Sequence, residues 1–458
     1  MFPKRAVCGM VLRRSCHMNE EKDRMTSEKK GWLLLKELLT QEPGEDTWRA
    51  MLALLGMWPV EAKREQIIRR VVQHLSTWDE SLRRAHPEDC WVDFPNGEPS
   101  HVWPLVRGFD LSGLEIGLEE IRILSQSPHA KQLTELRLSN NNIGDQGIEM
   151  LATSPYLSAL KRLDISGNQL GEKGLEALAG SEVLGRIQVL QLDTNALGDK
   201  GLSILSHGPL DALEELYLCD NQIGDEGIEA LVSARGLENL RVLDLWNNKL
   251  TAKGVKAIAE CPSLRSLEVL QLRENQMGQE GAAFIAQSPH LCTLKELHLW
   301  GNAIGPEGVT SLVQSPVAEN LQVLDLSSNQ LGVRGAEAIA AAPSLSSLSH
   351  LYLGENDLGA EGLKILIDAP SLSFLRVLSM WSNHIGDEGL KFLKSSPASE
   401  MLEVLDLSHN QIGLQGLKAL VNSPLMQNLK VLNLAMNGLG VSGRARLQEV
   451  FPHIKIVA

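Results

Sequence analysis

Aromatic residues make up only 4% of this 458-residue chain, so any place where they gather carries information. Cysteine is scarce as well. Cys8, Cys16, Cys90, Cys219, Cys261 and Cys292 form no C-x-x-C pair and follow no framework spacing. That pattern excludes a disulfide scaffold and reads as free thiols in a reducing compartment, the cytoplasm. No run of about 18 apolar residues occurs, so no transmembrane helix is expected. Basic residues are the minority: 43 Lys and Arg against 57 Asp and Glu, a net charge of −14. A binder of phosphate backbones or of anionic membranes needs clustered Lys and Arg, so neither nucleic acid nor membrane is expected as a partner. Lys4 and Arg5 before the apolar stretch Ala6 to Leu12 imitate a signal peptide, but Arg13 and Arg14 interrupt it and no small-residue cleavage site follows. Residues 1–26 are expected to be a disordered tail, with Met10, Met18 or Met25 as possible alternative starts.

Enzyme signatures are missing too. The chain has no P-loop, H-E-x-x-H, G-x-S-x-G or EF-hand loop. Gly438, Gly440 and Gly443 satisfy G-x-G-x-x-G, yet no further βαβ unit or ribose-binding acid can follow so near the last residue. His86 and Cys90 have i, i+4 spacing but no second ligand pair. No catalytic residue, metal site or cofactor is therefore assigned.

What is present is a repeat. From Leu133 to Gly443 the form L-x-x-L-x-L-x-x-N-x-L-G-x-x-G recurs twelve times. Its asparagines fall at 141, 168, 195, 221, 248, 275, 302, 329, 356, 383, 410 and 437, a step of 27 except for one step of 26 after Asn195. One such unit cannot bury its own apolar face, so the units must stack. The L-x-L segment reads as a short strand with leucines inward and x residues outward. The asparagine sits where the chain turns, and its amide can satisfy backbone groups that would otherwise be buried unpaired. Gly-x-x-Gly then opens a helix, with Thr251 in place of the first glycine once and Pro306 at a first helical position. Ser-Pro pairs such as Ser315-Pro316 and Ser396-Pro397 end the helices.

Residues 27–103 differ in kind. Six of the nine tryptophans lie there, and three helical stretches carry apolar faces. The third is expected to open at Pro59 and run on through Trp78 and Leu82. These tryptophans read as core, and self-association or docking through this segment is a further expectation. Val106, Phe109 and Leu111 match the strand leucines one repeat early, with Leu114 in the asparagine place, which marks a cap. Ile454 and Ile456 suggest a last strand that closes the other end. The expected division is a tail over 1–26, a helical domain over 27–103 and a repeat region over 104–458. The last comprises a cap repeat 104–130, twelve repeats over 131–446 and a cap strand 451–458.

The repeat resembles the leucine-rich repeat family in its ribonuclease-inhibitor-like class, over most of the chain. The resemblance implies an α/β solenoid with a curved parallel sheet inside and helices outside. With the N-terminal segment, this makes an α/β fold preceded by an all-helical capping domain. It extends equally to ribonuclease inhibitors and to Ran GTPase-activating proteins, which would make the chain a regulator of an enzyme, either as inhibitor or as GTPase activator. It supplies no residue that could be carried over for either activity, and fold does not fix function.

The x positions of the strands define the candidate site. Trp246, Trp300 and Trp381 all fall in one register, beside Arg273, and Tyr217 and Tyr352 fall in the neighbouring one with Asp244, His298, Asp325 and Asp406. Parallel strands lie about 4.8 Å apart, so Trp246 and Trp300 should be roughly 10 Å apart and Trp300 and Trp381 roughly 15 Å. Solvent-facing indoles and phenols among charges are the make-up of a protein-binding hot spot. The expectation is a non-enzymatic scaffold that binds a partner protein on its concave face. Acidic residues outnumber Arg137, Arg162 and Arg273 there, which favours a partner with a basic patch.

Overall fold

The computed structural model describes residues 27–58, 61–91, 94–95, 99–394 and 401–457. The expected tail over 1–26, Pro59 and Ser396-Pro397 lie outside the described residues. The chain forms two compact units, Met1–Leu192 and Asp193–Ala458.

The first unit opens with helices Ser27–Leu38, Glu45–Gly56 and Glu61–Leu75. Their apolar faces bury Leu35, Leu38, Trp48, Met51, Leu52, Leu55, Ile67 and Val71. The third helix stops at Leu75, short of Trp78 and Leu82. Ser76 and Thr77 turn their hydroxyls back on the carbonyls of Gln73 and His74, at 2.7 and 3.2 Å, and Asp79 accepts from Ser81 N–H at 2.8 Å. Short polar side chains of this kind compete with helical hydrogen bonds, so the helix ends where they cluster. The segment also supplies a strand, β1 (Arg84–Ala85), which pairs in parallel with β2 (Gly108–Asp110). Strands β3 (Glu135–Arg137), β4 (Arg162–Asp164) and β5 (Val189–Gln191) continue the parallel sheet in repeat register. At the cap, Leu114 stands where later repeats have asparagine. Its N–H and that of Ile116 still donate to Asn141 Oδ1 of the next repeat at 3.2 and 2.9 Å, the same contact that Asn141 and Ile143 make to Asn168, so what Leu114 lacks is the side-chain amide.

The second unit holds β6 (Glu215–Tyr217), β7 (Val242–Asp244), β8 (Val269–Gln271), β9 (Glu296–His298), β10 (Val323–Asp325), β11 (His350–Tyr352), β12 (Val377–Ser379), β13 (Val404–Asp406), β14 (Val431–Asn433) and β15 (Lys455–Val457). Each pairs in parallel with the next, with no break from β6 to β15. The middle residue of every strand is buried; Leu297, Leu324 and Leu351 are at 0% exposure. Burying each leucine contributes about 1.5–3 kcal/mol against helices such as Gly305–Val313, which present Val309 and Leu312 to the same core. Pro316 follows that helix and opens a 3₁₀ turn, Pro316–Asn320. Ile454 and Ile456 are buried, and β15 pairs with β14.

The asparagines form the expected ladder. Asn302 Nδ2 donates to Leu272 O of the preceding repeat at 2.7 Å, and Asn329 Oδ1 accepts from Asn302 N–H at 3.1 Å. The glycine that opens each helix, by contrast, is of two kinds. Gly144, Gly198, Gly278, Gly305, Gly332, Gly359 and Gly386 have φ between 56 and 67°. Each sends its N–H to the carbonyl of the next repeat's asparagine, Gly278 to Asn302 O at 3.0 Å for example. Gly171, Gly224, Thr251 and Gly413 are extended instead, with φ of −106, −103, −102 and −108°. These four alone follow a repeat with aspartate just after its own first glycine. Asp145, Asp199, Asp225 and Asp387 accept their N–H at 2.6–2.9 Å. From Gly144 to Gly413 a carboxylate one repeat upstream thus goes with the extended form; Gly117, extended at φ −105°, instead gives its N–H to Glu120 Oε2 of its own helix at 2.9 Å. An aspartate-capped, extended place suits Thr251, since an L side chain there need not bear the cost of positive φ.

Candidate functional site

In the second unit, strand alternation puts the residues flanking each buried leucine on the sheet face turned away from the helices. Register then sorts them into columns. The first runs Glu215, Val242, Val269, Glu296, Val323, His350, Val377, Val404, Val431. The second runs Tyr217, Asp244, Gln271, His298, Asp325, Tyr352, Ser379, Asp406. The third continues past the strands: Asp220, Asn247 and Glu274 N–H donate to the carbonyls of Trp246, Arg273 and Trp300 at 2.9, 2.9 and 2.7 Å, and Glu355 N–H to Trp381 O at 2.9 Å. Trp246, Arg273, Trp300 and Trp381 therefore share one line, as their spacing predicts.

None of the three indoles enters the leucine core. Trp246 is 41% exposed, and Trp300 and Trp381 are half-buried. Trp381 has a seat made for it. A Cβ at Gly354, on the preceding strand, would overlap the indole nitrogen and ring, so the tryptophan lies across the bare glycine backbone. Tyr217 and Tyr352 are half-buried in the second column. Tyr217 Oη donates to Glu215 Oε2 at 2.8 Å, and burial together with that carboxylate pushes its phenol above the ordinary value.

The aspartates are less free than their sequence position implies. Asp244, Asp325 and Asp406 each accept the N–H two residues on, from Trp246, Ser327 and Ser408 at 3.0, 3.1 and 2.9 Å. Asp164 does the same for Ser166 in the first unit. The recurrence of aspartate every third repeat is thus a local turn device. Asp244 and Asp325 are buried at 9% and 6% exposure, and burial raises the Asp244 carboxyl above its usual range. Arg273 NH2 reaches Asp325 Oδ2 at 3.1 Å and His298 Nδ1 at 2.7 Å, and His298 Nε2 lies 3.4 Å from Glu296 Oε2. Burial first, then the guanidinium, lowers the His298 pKa. Arg273 is the one guanidinium or ammonium in the three columns from β6 to β14 and is consumed within this cluster, while Glu274 and Glu355 remain exposed. Cys219 heads the third column. Burial and Asp193, Asp244 and Asp220 push its thiol up to about 12, which disables it as a nucleophile at neutral pH.

Sequence reasoning missed two features. The half-buried valines of the first column are readable in the sequence as the first residue of the V-L-x strands. Gly354 carried no sequence signal, because only the packed ring shows what the missing side chain admits. Among the described residues no group of three or more His, Cys, Asp and Glu is placed to hold a metal ion. No described helix is long and apolar enough to cross a membrane.

The family described as Leucine Rich repeat matches residues 129–152, 157–179, 213–232, 236–259, 263–286, 290–313, 317–340, 344–366, 371–394, 398–421 and 426–447. These segments make up more than half of the chain, and the protein belongs to the leucine-rich repeat family. No curated protein matches the sequence. Among solved structures, the yeast Rad7 and Elc1 complex is similar at 16% identity and a TM-score of 0.50, covering 100% of this chain and 98% of that one. An internalin of Listeria monocytogenes is similar at 20% identity and a TM-score of 0.46, covering 86% and 94%. At 16% identity the likeness to the Rad7 and Elc1 complex is one of fold alone.

Proposed function

We propose that the protein is a non-enzymatic scaffold that holds a partner protein on the helix-distal face of its second unit. Stacked repeats offer an extended surface of the kind solenoid proteins use for binding. The observation that carries the reading is the single line of half-exposed indoles, Trp246, Trp300 and Trp381, flanked by Tyr217 and Tyr352. Large aromatic anchors that remain in contact with water are where binding energy concentrates in protein interfaces. The surplus of carboxylates over the lone, internally engaged Arg273 selects a partner that is basic where it touches. The cytoplasm, the compartment that fits the unpaired cysteines, is the proposed place of action.

The test is comparative capture. Full-length protein and the Trp246→Ala/Trp300→Ala/Trp381→Ala variant are used as bait in a native lysate, after circular dichroism has shown equal folding. The captured protein is identified, purified and titrated against both. Loss of at least about 2 kcal/mol of affinity in the variant, the size of a hot-spot truncation, supports the reading. Equal affinity for both baits removes it.

A further inference from the structure

We infer that the occupant of this face is a basic amphipathic helix of the partner. The inference rests on the reading of the face as a binding surface and adds the chemistry of what lies there. Strands β7 to β12 are each paired on both sides, so no main-chain donors or acceptors are free to receive an added strand. The occupant must bind through side chains alone and satisfy its own backbone, which is the property of a helix.

The columns give its dimensions. Val242, Val269, Val323, Val377 and Val404 form one apolar rail, and Trp246, Trp300 and Trp381 form the other. The rails are four residues apart along the strands, about 13 Å at 3.3 Å per residue. A helix with its side chains is about 10–12 Å across and fits between them. From Trp246 beside β7 to Trp381 beside β12 is five strand spacings, about 24 Å. At 1.5 Å per residue that is about 16 residues of helix.

The floor between the rails gives its charge. Asp244 and Asp325 line it within that span and Asp406 follows on β13, Glu296 and His350 interrupt the valine rail, and Glu274 and Glu355 stand outside the tryptophan rail. Arg273 is already paired with Asp325. Lys or Arg side chains on the buried stripe of the helix would set their charge among these carboxylates. Their aliphatic stems would lie on the valines and their cations beside the indole faces. An acidic helix would face the carboxylates of Asp244, Glu274, Glu296 and Glu355, and a helix that is polar all round would leave both rails wet.

The experiment uses the full chain and three fluorescent peptides of that length, read by anisotropy. They are a Lys-Leu amphipathic helix, its Glu-Leu counterpart, and a Lys-Leu scramble without amphipathic order, which controls for attraction to an acidic protein. The amphipathic Lys-Leu peptide is expected to bind at least about tenfold tighter than either other, a difference of about 1.4 kcal/mol. The triple tryptophan variant should reduce its affinity about tenfold, and Glu274→Gln/Glu355→Gln, which alters only exposed carboxylates, should reduce it several-fold and flatten its salt dependence. Equal binding of the scramble or of the Glu-Leu peptide overturns the inference, as does failure of the Lys-Leu peptide to saturate. If that happens while the triple variant still loses its captured partner, the docking face stands and only the helix falls. If the captured partner is indifferent to the tryptophans, the docking face itself falls.

Discussion

Trp48, Trp91 and Trp103 of the first unit and the three tryptophans of the second meet opposite fates. Trp48 and Trp103 are at 1% and 2% exposure, and their indole N–H groups donate to Arg84 O at 2.6 Å and His129 O at 3.0 Å. Trp91 packs among Phe94, Trp103 and Phe109, with ring centroids 5.0, 5.2 and 6.1 Å away. Trp246, Trp300 and Trp381 sit outside the leucine core, and their indole N–H groups find no protein acceptor among the described residues. A buried indole usually finds a partner for its one polar atom, and Trp48 and Trp103 each have a carbonyl in that role. An indole left facing water keeps both its ring and its donor available. Trp48 and Trp103 are therefore core, whereas Trp246, Trp300 and Trp381 lie at the surface.

Paired truncations break the comparison most sharply. Trp48→Ala should cost about 3–5 kcal/mol, as large core deletions do. Trp246→Ala should stay within about 0.5 kcal/mol, as surface changes do. Urea titration followed by circular dichroism measures both, and comparable losses would abolish the distinction. Gly354→Ala comes next. Its methyl collides with the Trp381 ring, so overpacking should cost about 1–3 kcal/mol and shift the ring's environment. An unchanged emission spectrum, relative to a Trp381→Phe control, would show the ring does not rest there.

The two kinds of helix-opening glycine give a smaller contrast. Gly278→Ala forces an L side chain to φ near 58° and should cost about 1–2 kcal/mol. Gly224→Ala keeps its extended backbone and meets only the flexible Asp199 carboxylate, so it should cost less. Asp199→Ala, which strips the acceptor from Gly224 and Gly227 N–H, should cost about 0.5–2 kcal/mol. The reverse order for the two alanine variants in thermal melts would refute the carboxylate rule.

The smallest expected effect is one of pH. The folded-state pKa of His298 lies below its ordinary value of 6.5, so the unfolded chain takes up that proton first. Its contribution to stability is full above the ordinary histidine pKa and declines as pH falls through it toward the lower folded value. His298→Gln should flatten this decline between about pH 7.5 and pH 5 in denaturant midpoints. A slope unchanged by the substitution would place the effect elsewhere.

Much of this architecture was legible in the sequence because a 27-residue period leaves little freedom. Once the leucines were taken as the inward residues, the strands, their parallel order and the common line of Trp246, Trp300 and Trp381 followed. Hydrophobic spacing carries the expected helix on through Trp78, whereas Ser76 and Thr77 divert the backbone just after Leu75. The two glycine classes were written in the sequence one repeat upstream, at Asp145, Asp199, Asp225 and Asp387. A reading that treats each repeat alone cannot see them. Asp244 and Asp325 were legible as face residues but not as partly occupied ones, since their hydrogen bonds depend on where neighbouring backbone and Arg273 come to lie.

By itself the sequence determined that the chain must stack: each unit has one apolar stripe, and only its neighbours can cover it. Pattern at that scale is a property of residue order, and order fixes which side chains share a column. What only the tertiary structure decided is which of those side chains remain free. Packing across strands seats Trp381 over Gly354, ties Arg273 to His298 and Asp325, and leaves the Trp246 ring in water. Those outcomes depend on distances of a few ångströms between residues a full repeat apart, and residue order alone does not set them.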